Sequence, residues 1–318
     1  MKQLFRLLPL FAGAYVAAAY AQDYPNKAIN FIVGFPPGGG ADIVARMIGQ
    51  KLSENWSQPV VVVNKPGADS IIGYESASQA QPDGYTILLV TTELAINPSL
   101  YSKLPYDTEK DFTAVSIAAS APYVLVTHPA LPVTTVKALI SLAKARPGEL
   151  TYASSGTGVY LASELFKSMA RIDMLRVPYK GGPQAVSDVI AGQVSLMFPS
   201  MPTGYPHVKS GKVKALAITG NTRSPVAPAL PTMAESGLPG YEAKQWWGVV
   251  TRTGTPSAIV RRLNSEIVKI VRMQDVVQRL GIQGVEAEGS TPEQFSAYIR
   301  AEINKWSKVA KDAGAHID

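Results

Sequence analysis

Residues 29–52, INFIVGFPPGGGADIVARMIGQKL, constrain the fold more than any other stretch. Ile29, Phe31, Ile32 and Val33 form a short apolar run rich in β-formers, which predicts a buried strand. Pro36-Pro37-Gly38-Gly39-Gly40 can neither continue that strand nor sit inside a helix, because proline lacks an N–H and glycine loses too much backbone freedom. Beyond it, Ile43, Val44, Met47, Ile48 and Leu52 share one helical face. Such a turn leaves backbone N–H groups unpaired at the positive end of a helix dipole, which is an anion site. Glycine-rich turns are common, and taken alone PPGGG reads as a tight turn before it reads as an anion site. A second copy of the arrangement, residues 150–169 (LTYASSGTGVYLASELFKSM), tips the balance. There a short strand runs into Ser154, Ser155, Gly156, Thr157 and Gly158, and Leu161, Leu165 and Met169 line one face of the helix that follows. Two donor-rich loops far apart in the chain predict two half-sites facing each other.

The first residues read as a targeting segment. Lys2 and Arg6 precede an apolar run from Leu7 to Ala19, and Ala19-Tyr20-Ala21 fits the small-x-small cleavage rule. Residues 1–21 are therefore expected to be a signal peptide cleaved after Ala21, leaving an exported, periplasmic chain. The run is too short to span a bilayer comfortably, and no later stretch is longer and equally apolar. Loss of Lys2 and Arg6 lowers the formal charge from +6 to +4, with no Lys/Arg block, so no nucleic-acid partner is expected. The chain has no cysteine, which excludes thiol catalysis and cysteine metal sites. With 318 residues it can bury a core without disulfides and has room for two domains.

Along the chain, Val60–Val63 is a continuous β-branched run and predicts a buried strand. A loop over 64–68, a helix over 71–80, a turn at Pro82-Asp83-Gly84 and a strand over 85–90 follow. This alternation predicts parallel α/β structure. Thr91 and Thr92 stand just past a strand's carboxyl end, where open α/β sheets bind ligands, although an ordinary cap and turn would use the same residues. Residues 103–112 read as surface loop. Strands over 115–119 and 123–127, broken at Pro122, mark a crossing into a second domain. A helix over 134–144, the second glycine-rich unit, a helix over 184–191 and strands over 194–198 and 213–218 complete it. The expected division is 22–121 and 221–318 in domain I, with 122–220 inserted as domain II. Thr255-Pro256 reads as N-cap and first helical residue. Thr291-Pro292-Glu293-Gln294 reads as a capping box opening a terminal helix.

Catalytic groups are scarce. No G-x-S-x-G elbow surrounds Ser154 or Ser155. His128 and His207 flank prolines, and His316 lies in the terminal tail. PPGGG lacks both the Gly-Lys-Ser/Thr ending of a P-loop and the dinucleotide G-x-G-x-x-G spacing. No His or carboxylate cluster has metal-ligand spacing, and no cofactor is expected. A secreted hydrolase using Ser155 is the enzymatic alternative. Small-molecule capture between two lobes, with hinge closure and no covalent step, fits the pattern better.

The sequence resembles the Bug family, the solute-binding receptors of tripartite tricarboxylate transporters. The stretches that carry the likeness include YPNKAINFIVGFPPGGGADIVAR, PDGYTILLV, AINPSLY, LPYDTEKDF, YASSGTG, VPYKGG, AGQVSLMF, LPTMAESGLPGYEA and TPEQF. The resemblance spans essentially the whole mature chain. It implies a class II periplasmic-binding-protein fold, two α/β lobes with a ligand cleft between them. It further implies a monomer that captures a small carboxylate for inner-membrane transporter subunits, or reports it to a signalling partner. Carried onto this chain, the first-lobe loop runs from Phe35 through Pro37, Gly38 and Gly39 to Gly40. Thr91 and Thr92 would line the cleft from the same lobe, and Ser154, Ser155, Gly156 and Tyr179 from the other. Many members carry an aspartate after the strand AGQVSLMF; here Pro199 stands there, followed by Ser200, a further candidate contact. Proline cannot pair with a ligand ammonium, so amino acids are expected to be poor ligands. Among nearby aromatics (Phe35, Tyr179, Trp246, Trp247), Trp246 is a candidate to stack on a flat ligand or to pack in the core. The ligand implied by the resemblance is accordingly expected to be an aliphatic di- or tricarboxylate, or an aromatic one of the terephthalate type.

Overall fold

The computed structural model describes residues 24–317. The expected signal peptide and its cleavage point lie outside them. The chain opens with β1 (Ile29–Val33), α1 (Gly40–Trp56), β2 (Val60–Asn64), α2 (Ile71–Ser78), β3 (Thr86–Thr91), α3 (Glu93–Leu100) and β4 (Phe112–Pro122). It continues with β5 (Val124–Thr127), α4 (Val136–Ala145), β6 (Thr151–Ser154), α5 (Thr157–Ala170), β7 (Leu175–Pro178), α6 (Gly182–Ile190), β8 (Leu196–Met197), α7 (Met201–Lys209) and β9 (Lys214–Ile218). It returns through β10 (Lys244–Arg252), α8 (Ser257–Val271), α9 (Gln274–Ile282), β11 (Glu286–Ala287) and α10 (Pro292–Ala313).

Two sheets result, ordered β11-β4-β10-β3-β1-β2 and β7-β6-β8-β5-β9. β1 pairs in parallel with β2 and β3, and β6 with β7 and β8. The parallel pairing expected from the strand–helix alternation is thus present, and antiparallel strands join it. β10 runs antiparallel between β3 and β4, and β5 antiparallel between β8 and β9. These are the strands next to the two crossings, where the chain leaves one sheet and returns to it. Residues 244–252 carried no strand expectation, yet they form the longest central strand after β4.

The first sheet is covered on both faces, which is why its strands read as unbroken apolar runs. Phe31, Val33, Ile87, Leu89, Trp247 and Val249 join the cluster containing Val44 and Ile48 of α1 and Leu263 of α8. Their alternate neighbours Ile32, Leu88, Val90, Trp246 and Val250 join the cluster of Tyr74 and Phe295. β2 departs from this. It is the sheet edge and only half-buried, with Val61 48% exposed, so the β-branched run marks strand propensity and not burial. In the expected surface loop over 103–112, Tyr106 and Thr108 are buried.

The Thr291 capping box forms as expected, with its hydroxyl accepting from Gln294 N at 3.2 Å and Gln294 Oε1 accepting from Thr291 N at 2.9 Å. Thr255 is not a cap. Its hydroxyl donates back to Arg252 O at 2.7 Å, and Pro256 occupies the position before α8. α5 packs against α3 and α10 of the other lobe, joining the two halves beside the cleft.

Candidate ligand-binding site

The site is built at the carboxyl ends of β1, β3, β6 and β8, where strand–turn–helix connections from both lobes meet. Between them lies an open cleft whose wall both sheets' connections share. Four helices begin on its wall: α1 at Gly39–Ala41, α5 after Ser155, α6 at Gly182 and α7 after Ser200. None of the four has its first turn capped by an N-cap side chain. Their leading N–H groups have no intrahelical partner, and their dipoles add positive potential at one place. Phe35, Trp247 and Tyr123 supply flat walls, and among the described residues no Lys, Arg or His lines the cleft.

The first loop owes its shape to Asp42. Its Oδ2 accepts from Gly38 N at 3.0 Å and Arg46 Nε at 2.9 Å, and its Oδ1 accepts from Asn64 Nδ2 at 2.9 Å. Burial pushes this carboxyl up, but those hydrogen bonds outweigh it and hold Asp42 below its ordinary range. Asn64 Nδ2 also reaches Phe35 O at 2.9 Å, tying the turn to β2. In the second loop Gly156 has φ +121°, a conformation that side chains rarely adopt, and an added Cβ would lie 2.8 Å from Glu93 Oε1.

Of the expected contacts, Phe35, Gly39, Thr91, Ser155 and Ser200 line the cleft. Gly156 and Tyr179, with Phe35, line an adjoining cavity beside Lys180. The Tyr179 hydroxyl is engaged with Asp188 Oδ2 at 2.7 Å, and burial followed by that bond pushes its pKa up to about 12. The remaining five lie off the wall. Pro37 and Gly38 are exposed on the outer side of the turn, and the Gly38 N–H is already spent on Asp42. Ser154 Oγ accepts from Arg176 Nε at 3.3 Å, and Thr92 Oγ1 accepts from Trp246 N at 3.3 Å. Trp246 is fully buried on the far face of β10 against Phe295, with Nε1 donating to Glu302 Oε2 at 3.1 Å. Successive strand residues point to opposite faces, so it is Trp247 that reaches the cleft.

Sequence reasoning also missed Glu93, Tyr123 and Gln245. Glu93 is 1% exposed and stands on the cleft wall. Its Oε1 accepts from Gly158 N of the opposite lobe at 3.2 Å, and Thr91 Oγ1 donates to its Oε2. Burial raises its pKa above the ordinary carboxylate range. An acid in a helix's first turn usually answers only its own helix dipole, so nothing local in the sequence signalled a contact with the other lobe. Tyr123 OH donates to Gln245 Oε1 at 2.7 Å, linking the two strands at the crossing. Among the described residues that line the cleft beside Ser155 there is no histidine or lysine. Among the described residues no group of three or more His, Cys, Asp or Glu is arranged to hold a metal ion.

Residues 44–315 match the profile of the tripartite tricarboxylate transporter family receptors. Protein BugT of Bordetella pertussis is 38% identical over 100% of this chain and 99% of its own length. An adipate-bound protein of R. palustris superposes with a TM-score of 0.90 at 36% identity, covering 93% of this chain and 100% of that one. Malate-bound MatC of Rhodopseudomonas palustris gives 0.86 at 29% identity, covering 90% and 99%. The fold is the class II periplasmic-binding-protein arrangement, and the chain belongs to the tripartite tricarboxylate transporter receptor family, as a periplasmic solute-binding receptor of the Bug type.

Proposed function

We propose that this chain captures a small di- or tricarboxylate in the periplasm and hands it to the membrane subunits of a tripartite tricarboxylate transporter. The observation that carries the reading is the convergence of four helix N-termini, none capped by its own N-cap side chain, on a wall whose described lining residues include no Lys, Arg or His. Each hydrogen bond from a backbone N–H to an ionised carboxylate contributes about 1.5–3 kcal/mol, so a few such donors hold a dianion without an arginine. The neighbours solved with adipate and malate support a dicarboxylate. The aromatic walls Phe35 and Trp247 also suit a flat ligand of the terephthalate type. In this reading residues 22–121 and 221–318 form one lobe and 122–220 the other. The lobes hinge shut on the ligand, and a monomer exported by a signal peptide cut after Ala21 does the work. The direct contacts are Phe35, Gly39, Thr91, Ser155, Ser200 and Trp247. Pro199 stands on the wall, so no carboxylate at that position awaits an ammonium group.

Thermal unfolding of the chain against a panel of carboxylates, each paired with its amino analogue, tests this. A ligand at about a hundred times its Kd stabilises by about 2.7 kcal/mol, which a melting curve resolves. Shifts with di- or tricarboxylates exceeding those of their amino analogues are expected. A shift with amino acids alone removes the argument from Pro199, and no shift with any carboxylate removes the proposed ligand class.

A further inference from the structure

Glu93 is out of place in a cleft built for anions. Its carboxyl is buried, it stands on the cleft wall, and no cation shares that wall. It also holds a donor of the second half-site, the Gly158 N–H at the start of α5. An ionised Glu93 beside a ligand carboxylate would set two like charges together in a dry cleft, which costs far more there than in water. Hydrogen bonds from Thr91 Oγ1, Gly158 N and its own backbone N–H favour the ionised form, but burial outweighs them and no positive side chain is among the groups around it. The titratable groups around Glu93 are Tyr74 on α2, Tyr106 in the loop before β4, Tyr123 at the head of β5 and Asp69 in the loop before α2. None is a cation, and α5 presents only a backbone N–H.

We propose that Glu93 is an uncharged carboxylic acid whenever the cleft holds a carboxylate, so that capture takes up one proton from solvent and Glu93 selects anionic over ammonium-bearing ligands. The proton resides in the hydrogen bond between Glu93 Oε2 and Thr91 Oγ1. Thr91 Oγ1 also meets Tyr74 OH at 3.0 Å, where either hydroxyl can donate. Rotation of these hydroxyls lets Thr91 donate to the ionised acid or accept from the neutral one without moving a heavy atom. Burial raising the Glu93 pKa agrees with this assignment. The proposal rests on the carboxylate reading above and goes beyond it by naming the residue that couples binding to pH.

Calorimetric titration of the chain with adipate, between about pH 6.5 and 8.5 where adipate is fully ionised, tests it. At every pH where free Glu93 is ionised the Kd should rise about tenfold per pH unit, and it should be flat only where free Glu93 is already neutral. Buffers of different ionisation enthalpy should show one proton taken up above the break. Glu93→Gln keeps the shape of the neutral acid, and its Kd should be flat with no uptake. Thr91→Val removes a hydrogen bond that favours the ionised acid and should move the break to higher pH. Adipate binding with a flat Kd and no uptake overturns the proposal and leaves the carboxylate reading intact. Tighter binding of 2-aminoadipate than of adipate, lost in Glu93→Gln, also overturns it, since Glu93 would then act as an anion. No heat with any carboxylate at any pH removes both readings together.

Discussion

Two adjacent tryptophans divide the labour of β10 by parity alone. Trp246 meets Phe295 edge-on, with ring centroids 5.7 Å apart at 88°, and gives its N–H to Glu302. Trp247, one residue on, crosses to the opposite face and stands over the start of α1, where a Cβ on Gly40 would lie 2.9 Å from its ring. The two phenylalanine variants should therefore separate stability from binding. Trp246→Phe loses one hydrogen bond from a carboxyl that still receives Trp306 Nε1 at 2.9 Å, and should cost about 1 kcal/mol of stability with ligand affinity unchanged. Trp247→Phe should weaken carboxylate binding several-fold. Denaturant unfolding and calorimetry of both variants decide it, and equal affinity losses would show that the parity argument misassigns the faces.

At the scale of elements, strand–turn–helix units were legible because their signals are local. The run 29–33, the PPGGG break and the face through Val44, Ile48 and Leu52 are all read within a few turns of chain, and each forms as expected. What was not legible depends on partners remote in sequence. The edge position of β2, the antiparallel insertion of β10 and the face on which Trp246 falls are set by which strands pair. The same holds for Glu93, whose environment is made by Gly158, 65 residues away. Asp42 shows how a local unit is made precise by one remote residue, Asn64. Its folded-state pKa lies below the unfolded value of 3.8, so its stabilisation is present above that value and is lost as pH falls through the folded pKa. Asp42→Asn should cost about 1–3 kcal/mol at neutral pH, and the gap to the native chain should close below about pH 4. Unfolding curves across that range read it directly, and a gap constant with pH would mean that the loop does not depend on an ionised Asp42.

For the whole molecule, specific hydrogen bonds and a close loop approach join the two lobes beside the cleft. Thr157 Oγ1 donates to Asn97 Oδ1 at 2.8 Å, Gly158 N donates to Glu93, and the two donor loops approach at Pro36 and Gly181. A Cβ on Gly181 would lie 2.9 Å from Pro36 Cγ, closer than packed atoms come. The backbone at Gly181, φ −173°, is extended and suits any residue, so alanine there is not strained within its own lobe. Its methyl group is obstructed where Pro36 of the first loop comes down upon it. Gly181→Ala should therefore leave the melting temperature of the ligand-free chain unchanged while holding the loops apart by a few tenths of an ångström. A receptor that gains affinity from closing over its ligand then loses part of that gain, about tenfold in Kd or about 1.4 kcal/mol. The loss should appear in the dissociation rate, because the encounter precedes closure and the hold on the ligand follows it. Stopped-flow release of adipate from Gly181→Ala and from the native chain measures this. Equal release rates would show that the approach of Pro36 to Gly181 is not part of the ligand-holding state.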